Sequence, residues 1–294
     1  MSGGLKEVRN RIVSVQSTSQ ITQAMKMVSA SKLRRAQDAI VRMRPYAEKL
    51  QDILANVSSS LDSSEGVYSE EREVKNVLMV AITSNRGLCG GFNNNVIKRI
   101  KHLIASDYTG VNVSVLALGR KANDAFAKLG IITTKGFSDE PHTIYGDLTF
   151  DATSEVAQSI MDQFVAGDYD KVVIVYNRFK NAATQILCTE QMLPVVPLET
   201  EGEVPVAAND YIFEPNRKDI IERIIPNSLK VQLFKALLDS YASEHGARMT
   251  AMHKATDNAN DLVKELKLRY NKARQAAITN EILEIVGGAE ALNG

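Results

Sequence analysis

The run Met249–Ala277, MTAMHKATDNANDLVKELKLRYNKARQAA, decides the fold. Met249, Met252, Thr256, Ala259, Val263, Leu266, Tyr270, Ala273 and Ala277 follow one another at steps of three and four. A seam repeating near 3.5 residues calls for a partner helix along one side. Val231, Phe234, Leu238, Tyr241 and His245 form the same pattern one register earlier, and the four-residue step from His245 to Met249 breaks the alternation as a stutter does. The wider stretch Asn227–Val286 holds no proline, and Gly246 is its one glycine. A helix over that stretch is roughly 90 Å long, too long to be buried throughout in its own chain's core. Thr and Ala stand where Leu makes a seam strongest, so the helix has one partner and looser surroundings elsewhere.

The start of the chain supplies the partner. Leu33, Ala36, Ile40, Met43, Ala47, Leu50, Leu54, Val57 and Leu61 also step by three and four, and Val8, Ile12, Val15, Ile21, Met25 and Val28 extend the apolar face upstream, less regularly. Pro45 lies in phase with this seam and predicts a local bend. The reading is an antiparallel coiled coil of an N-terminal helix (1–60) and a C-terminal one (216–294), closed by whatever lies between. Residues 1–60 carry ten Lys or Arg against four Asp or Glu, with Lys26, Lys32, Arg34, Arg35, Arg42 and Arg44 clustered around Asp38. Such a surface suits solvent or an acidic sleeve. Nucleic acid is disfavoured, because the net charge of the whole chain is zero and no aromatics interleave the basic run.

At 294 residues and 44% apolar composition the chain supports one or two cores. Its longest apolar run, Val77–Ile82, is far too short to span a bilayer, and no signal-peptide segment opens the sequence. Cys89 and Cys188 fit neither a metal spacing nor a CxxC motif, which predicts reduced thiols and a cytoplasmic setting.

The middle, 74–210, reads as a Rossmann-like α/β domain after a polar linker from Ser58 to Glu73. Val77–Ile82 is a continuous apolar run of the kind that forms a buried parallel strand. Helix over 95–105, strand 111–118, helix 121–129, strand 131–134, helix 151–165 with Asp151 as N-cap, and strands 171–176 and 184–189 follow. Pro194, Pro197 and the acidic 199–203 lead out, and Ile220–Ile225 begins the return to the long helix. Alternating strand and helix predicts a mostly parallel sheet covered on both faces. Asn85–Asn93, NRGLCGGFN, is a glycine loop between strand and helix, where phosphates often bind. Its spacing is neither G-x-G-x-x-G nor a P-loop. The alternative reading is a tight turn needing positive φ beneath an interaction surface. No nucleophile, base and orienter combination, cofactor motif or metal set is legible.

Three motifs then carry a resemblance. The C-terminal ITNEILEIVGGAEAL (278–292), the N-terminal AMKMV (24–28) with KLRRAQ (32–37), and the RGLCGGFN loop (86–93) are similar to those of the gamma subunit of F-type ATP synthases. Their order and spacing agree over the full chain. The resemblance implies a rotary shaft: a terminal coiled coil inside a ring of alpha and beta subunits, with the α/β domain below beside epsilon and the c ring, and delta elsewhere in the complex. It implies a non-catalytic subunit without cofactor, metal or membrane insertion, peripheral on the cytoplasmic face of the inner membrane and coupling proton flow to ATP synthesis. It also implies that Arg274, Gln275, Thr279 and Glu281 contact beta near the upper shaft with Met25 nearby. Arg86, Gly87, Cys89 and Gly90 would form an interaction loop, and the region of Tyr211 a foot near the c ring. The runner-up is a nucleotide-binding α/β enzyme whose coiled coil is a dimerisation arm; a third reading is a scaffold coiled coil.

Overall fold

The computed structural model describes residues 2–58, 67–137, 140–146, 148–195 and 217–293. Residues 59–66 of the linker with Leu61, Pro197, the acidic run 199–203 and Tyr211 lie outside the described residues, as do the side chains of Arg44, Leu54, Val57 and Ile220.

The apolar runs of the middle segment build a four-stranded sheet in the order β2-β1-β3-β4, from β1 (Asn76–Ile82), β2 (Asn112–Leu118), β3 (Lys171–Phe179) and β4 (Gln185–Leu193). β1 pairs in parallel with both β2 and β3, and β4 returns antiparallel at the edge. β1 is buried on both faces, which is why its sequence is continuously apolar rather than alternating. Val77, Met79 and Ala81 meet α2 (Phe92–Ser106) and α3 (Arg120–Phe126) through Val96, Ile100, Leu103, Ala122 and Phe126. Leu78, Val80 and Ile82 face the other way, toward Ala157, Ile160, Met161 and Phe164 of α4 (Phe150–Val165). Burial of each such large side chain contributes about 1.5–3 kcal/mol.

The second face is completed by the base of the C-terminal helix, α5 (Arg217–Asn293), through Leu229, Leu233, Ala236 and Leu237. These residues lie off the 231–245 seam read from the sequence. The segment serves the sheet on one side and the N-terminal helix, α1 (Ser2–Ser58), on another, where Asn227 Nδ2 donates to the Tyr46 hydroxyl. Two demands on one helix explain why almost every residue from 229 to 246 is buried or half-buried. Gly246 has a related cause. A Cβ there would lie 3.2 Å from Ala182 Cα and 3.3 Å from the Phe179 ring, so the β3–β4 hairpin packs directly on bare helix backbone.

The chain forms two compact units, one of residues 1–30 with 248–294 and one of residues 31–247. In the first, Ser19 Oγ donates to Asn260 Oδ1 at 2.8 Å, and the Thr22 and Thr256 hydroxyls lie 2.7 Å apart. One index rises as the other falls, so the helices run antiparallel.

Several expectations need correction. The seam of α1 is more regular than its apolar residues suggest. Leu5, Val8, Ile12, Val15, Ser19, Thr22, Lys26, Ser29, Leu33, Ala36, Ile40, Met43, Ala47 and Leu50 alternate strictly by three and four and are all buried or half-buried. Ile21 and Val28, read as seam, are about 60% exposed. Hydroxyls stand at several of these positions. Ser19 donates to Asn260, and of the Thr22 and Thr256 hydroxyls one donates to the other while the acceptor's own proton goes to the carbonyl a turn back, Ser19 for Thr22 or Met252 for Thr256. The helix α1 continues through Pro45 with its seam in phase, and Pro226 lies inside α5. Arg248 is buried where Met249 is only half-buried. Residues 131–134 form no strand, only a single bridge from Ile132 to Val115. The N-cap of α4 is Thr149, whose hydroxyl accepts from Ala152 N, and Asp151 lies in the first turn.

Candidate functional site

The glycine loop occupies the carboxyl end of β1, the crevice where open α/β sheets bind nucleotides. Here the polar groups of that crevice are already spent on one another. The first three amides of α3 donate inward: Arg120 N to Asn85 Oδ1 (3.0 Å), Lys121 N to the Ser84 carbonyl (3.2 Å) and Ala122 N to Thr83 Oγ1 (3.0 Å). At the start of α2, Phe92 N donates to the Cys89 carbonyl, and the Asn93 side chain turns back to accept from Ser84 N. Gly119 seals the floor, since a Cβ there would lie 2.2 Å from the Thr83 carbonyl oxygen. A phosphate needs unpaired amides at a helix start, and at α3 this arrangement withholds them. Among the described residues no group of His, Cys, Asp and Glu could hold a metal ion.

What the loop does present is a surface. Arg86, Gly87 and Gly90 are exposed. Leu88, which sequence reasoning passed over, is 64% exposed and held at a φ of 63°. A branched side chain in left-handed backbone costs roughly 1–2 kcal/mol, and nothing in the sequence marks it. Gly90 has a φ of 60°; Gly87 does not lie in the left-handed region. Cys89 points inward, buried, with Asn93 Nδ2 donating to its sulfur at 3.2 Å.

The other candidate surface is the end of α5. From Asn271 to Ala289 every residue except Ala277 is exposed, Ala273 included, although the seam pattern continues through both alanines. The full burial of Met252, Thr256, Ala259, Val263 and Leu266 gives way to half-burial at Tyr270 and Ala277, and past Ala277 the end of α5 stands uncovered. Arg274, Gln275, Thr279 and Glu281 are all on this exposed end, Thr279 Oγ1 donating back to the Gln275 carbonyl, and no ion pair holds Arg274 among the described residues. Around them Ile278, Ile282, Leu283, Ile285 and Val286 are 49–71% exposed. Met25 is half-buried one turn on from the Thr22–Thr256 pair. That register sets it roughly 30 Å along α5 from Arg274, not beside it.

The family model described as ATP synthase matches residues 4–292 of the chain. The ATP synthase gamma chains of Flavobacterium psychrophilum and Flavobacterium johnsoniae are each 59% identical to it over 291 residues, covering 99% of both chains in each comparison. That of Chlorobium phaeobacteroides is 45% identical over 295 residues, again covering 99% of each. Among solved structures, a chain of the Euglena gracilis mitochondrial ATP synthase in its OSCP/F1/c-ring assembly is similar in fold. Its TM-score is 0.66 at 21% identity, over 99% of this chain and 95% of that one. A chain of the rotor of the same enzyme gives a TM-score of 0.62 at 20% identity, over 95% and 100%.

Proposed function

The chain belongs to the ATP synthase gamma-chain family, and from that premise we propose how it acts: as the central rotary shaft that couples proton flow to the conformational cycle of the catalytic subunits. One observation supports this most directly, the bare end of α5. Five large apolar residues stand exposed over nine positions of a helix that its own chain leaves unpaired. A folded chain exposes a contiguous apolar surface of that kind where another molecule covers it. A ring of alpha and beta subunits enclosing the helix end supplies that cover, and a ring that turns around it requires contacts that are individually weak.

On this reading the chain is a non-catalytic subunit of the synthase and carries no nucleotide of its own. At the crevice beside the glycine loop the first three amides of α3 are engaged within the chain, which counts against the enzyme alternative. The helices within 1–60 and 216–294 form the shaft, and the 74–210 domain forms its foot, beside epsilon and the c ring. Delta belongs to the same complex without touching the shaft. The complex sits on the cytoplasmic face of the inner membrane with this chain peripheral to it; among the described residues no helix is long and apolar enough to cross a membrane.

Arg274, Gln275, Thr279 and Glu281 contact beta subunits in turn as the shaft rotates, and Met25 contacts the ring at a lower level. The Arg274 guanidinium can hold a carboxylate through two parallel bonds, which lysine cannot. Arg86, Gly87, Leu88 and Gly90 form a second contact, with Cys89 anchoring the loop from inside. The test uses an assembled complex carrying Arg274→Ala, Gln275→Ala and Glu281→Ala together. Slowed ATP turnover and weakened proton pumping, with assembly intact, support the contact role. Turnover and pumping equal to the parent's refute it.

A further inference from the structure

Between Leu229 and Arg248 the burial of α5 is not filled by apolar residues alone. Asp239, Ser240, Ser243, Glu244 and His245 are each 8% exposed or less. A carboxylate so enclosed has lost nearly all its water and depends on its neighbours. Asp239 lies seven residues after Gln232 and seven before Gly246, on the face of α5 that both turn to the β3–β4 hairpin. Around it stand Tyr176 and Arg178 from β3, Cys188 and Glu190 from β4, and Lys235 one turn back on α5. Glu190 is itself fixed, accepting from the Tyr176 hydroxyl at 2.7 Å. Two carboxylates therefore oppose each other across the junction of helix and hairpin, while Arg178 lies exposed at its rim. The junction is pinned on either side of Asp239. Gln232 Nε2 donates to the Gln191 carbonyl at 3.2 Å, and Gly246 seats against Ala182 and Phe179.

We propose that Asp239 is a proton-operated latch, which seats α5 firmly on the β3–β4 hairpin when its carboxyl is neutral and loosens that seat when it is ionised. The proton comes from solvent and returns to it. The physical basis is the uncompensated burial. Loss of hydration, reinforced by Glu190 and only partly offset by Lys235 and Arg178, pushes Asp239 from 3.8 up to about 6. The seated state thus binds a proton that the opened state releases. Its advantage is complete below the opened-state value near 4, shrinks as pH rises toward 6, and is gone above that. Acidification tightens the grip of the sheet on the helix.

The experiment is backbone hydrogen exchange on the full-length chain from pH 5 to pH 7.5, corrected for the intrinsic pH dependence of exchange. Protection over 236–246 and 176–190 is expected to be about tenfold higher at pH 5 than at pH 7.5, as one proton's linkage allows. Asp239→Asn should hold the acid-level protection across the whole range. Equal protection of the parent at both pH values, or an unaltered pH dependence in the Asn variant, overturns the latch. Should that variant not fold, the carboxyl carbon resonance of Asp239 in the parent decides. A midpoint near 6 supports the proposal, and one at or below 4.5 refutes it.

Discussion

At the scale of single residues, glycines and hydroxyls carry more of the account than the large apolar side chains do. Gly90 and Gly87 look interchangeable in the sequence, yet only Gly90 sits at positive φ. Gly90→Val should therefore lower the stability of the chain by about 1–3 kcal/mol in a denaturant titration, while Gly87→Val should leave it nearly unchanged. Gly246 is a balance of two effects. Alanine there gains up to about 1 kcal/mol of helix propensity, but its Cβ presses on Ala182 and the Phe179 ring. Gly246→Ala should come out close to neutral. Gly246→Val, which cannot avoid the hairpin, should cost about 1–3 kcal/mol by thermal melting. The hydroxyl pair makes a different prediction. Thr22→Val or Thr256→Val alone should cost about 1 kcal/mol, and the double variant less than the two single costs together, because no unpaired hydroxyl remains. These residues were the least legible ones. Ile21 and Val28 have the composition of a seam, and Ser19 and Thr22 do not; only strict spacing from Leu5 to Leu50 picks out the second pair, and apolarity overrode it. Leu88 carries no sequence signal, since its backbone strain is visible only in φ.

At the scale of elements, length and periodicity were sufficient where burial is uniform. β1 is apolar from Val77 to Ile82 because it lies between two layers, and the strand and the covering of both its faces followed from that. Failures came where a neighbour decides. Residues 131–134 have strand composition but reach β2 only through Ile132, too brief for a ladder. Asp151 is a good cap by type, yet Thr149 sits two residues earlier with its hydroxyl on Ala152 N. The base of α5 was read as one seam because a linear pattern does not reveal that Leu229, Leu233 and Leu237 serve the sheet. The antiparallel pairing itself is testable at this scale. Cysteines replacing Ser19 and Asn260 should form a disulfide within one chain on mild oxidation, seen as a faster-migrating monomer. A product linking two chains instead would mean that α1 pairs with another copy, as the dimer-arm reading requires.

At the scale of the whole molecule, the candidate site is an exposed surface rather than a cavity, and this governs what a sequence can reveal. Catalytic and cofactor sites announce themselves by residue type, whereas a contact surface on a shaft consists of ordinary residues that happen to be uncovered. The exposed end of α5 carries the same alternating alanines, Ala273 and Ala277, as the paired part, so the loss of its partner was not visible in the pattern. The motifs in 278–292 and 86–93 located both surfaces through resemblance, but resemblance set Met25 beside Arg274, where the helix register does not. The central claim is that this chain turns. It is tested most directly by anchoring an assembled complex through its beta subunits and attaching a visible probe to a cysteine replacing the exposed Lys101 on α2. The account predicts that ATP drives the probe around in one direction for many revolutions, and that omitting ATP stops it. A probe that stays fixed while the complex hydrolyses ATP at its full rate would contradict the shaft.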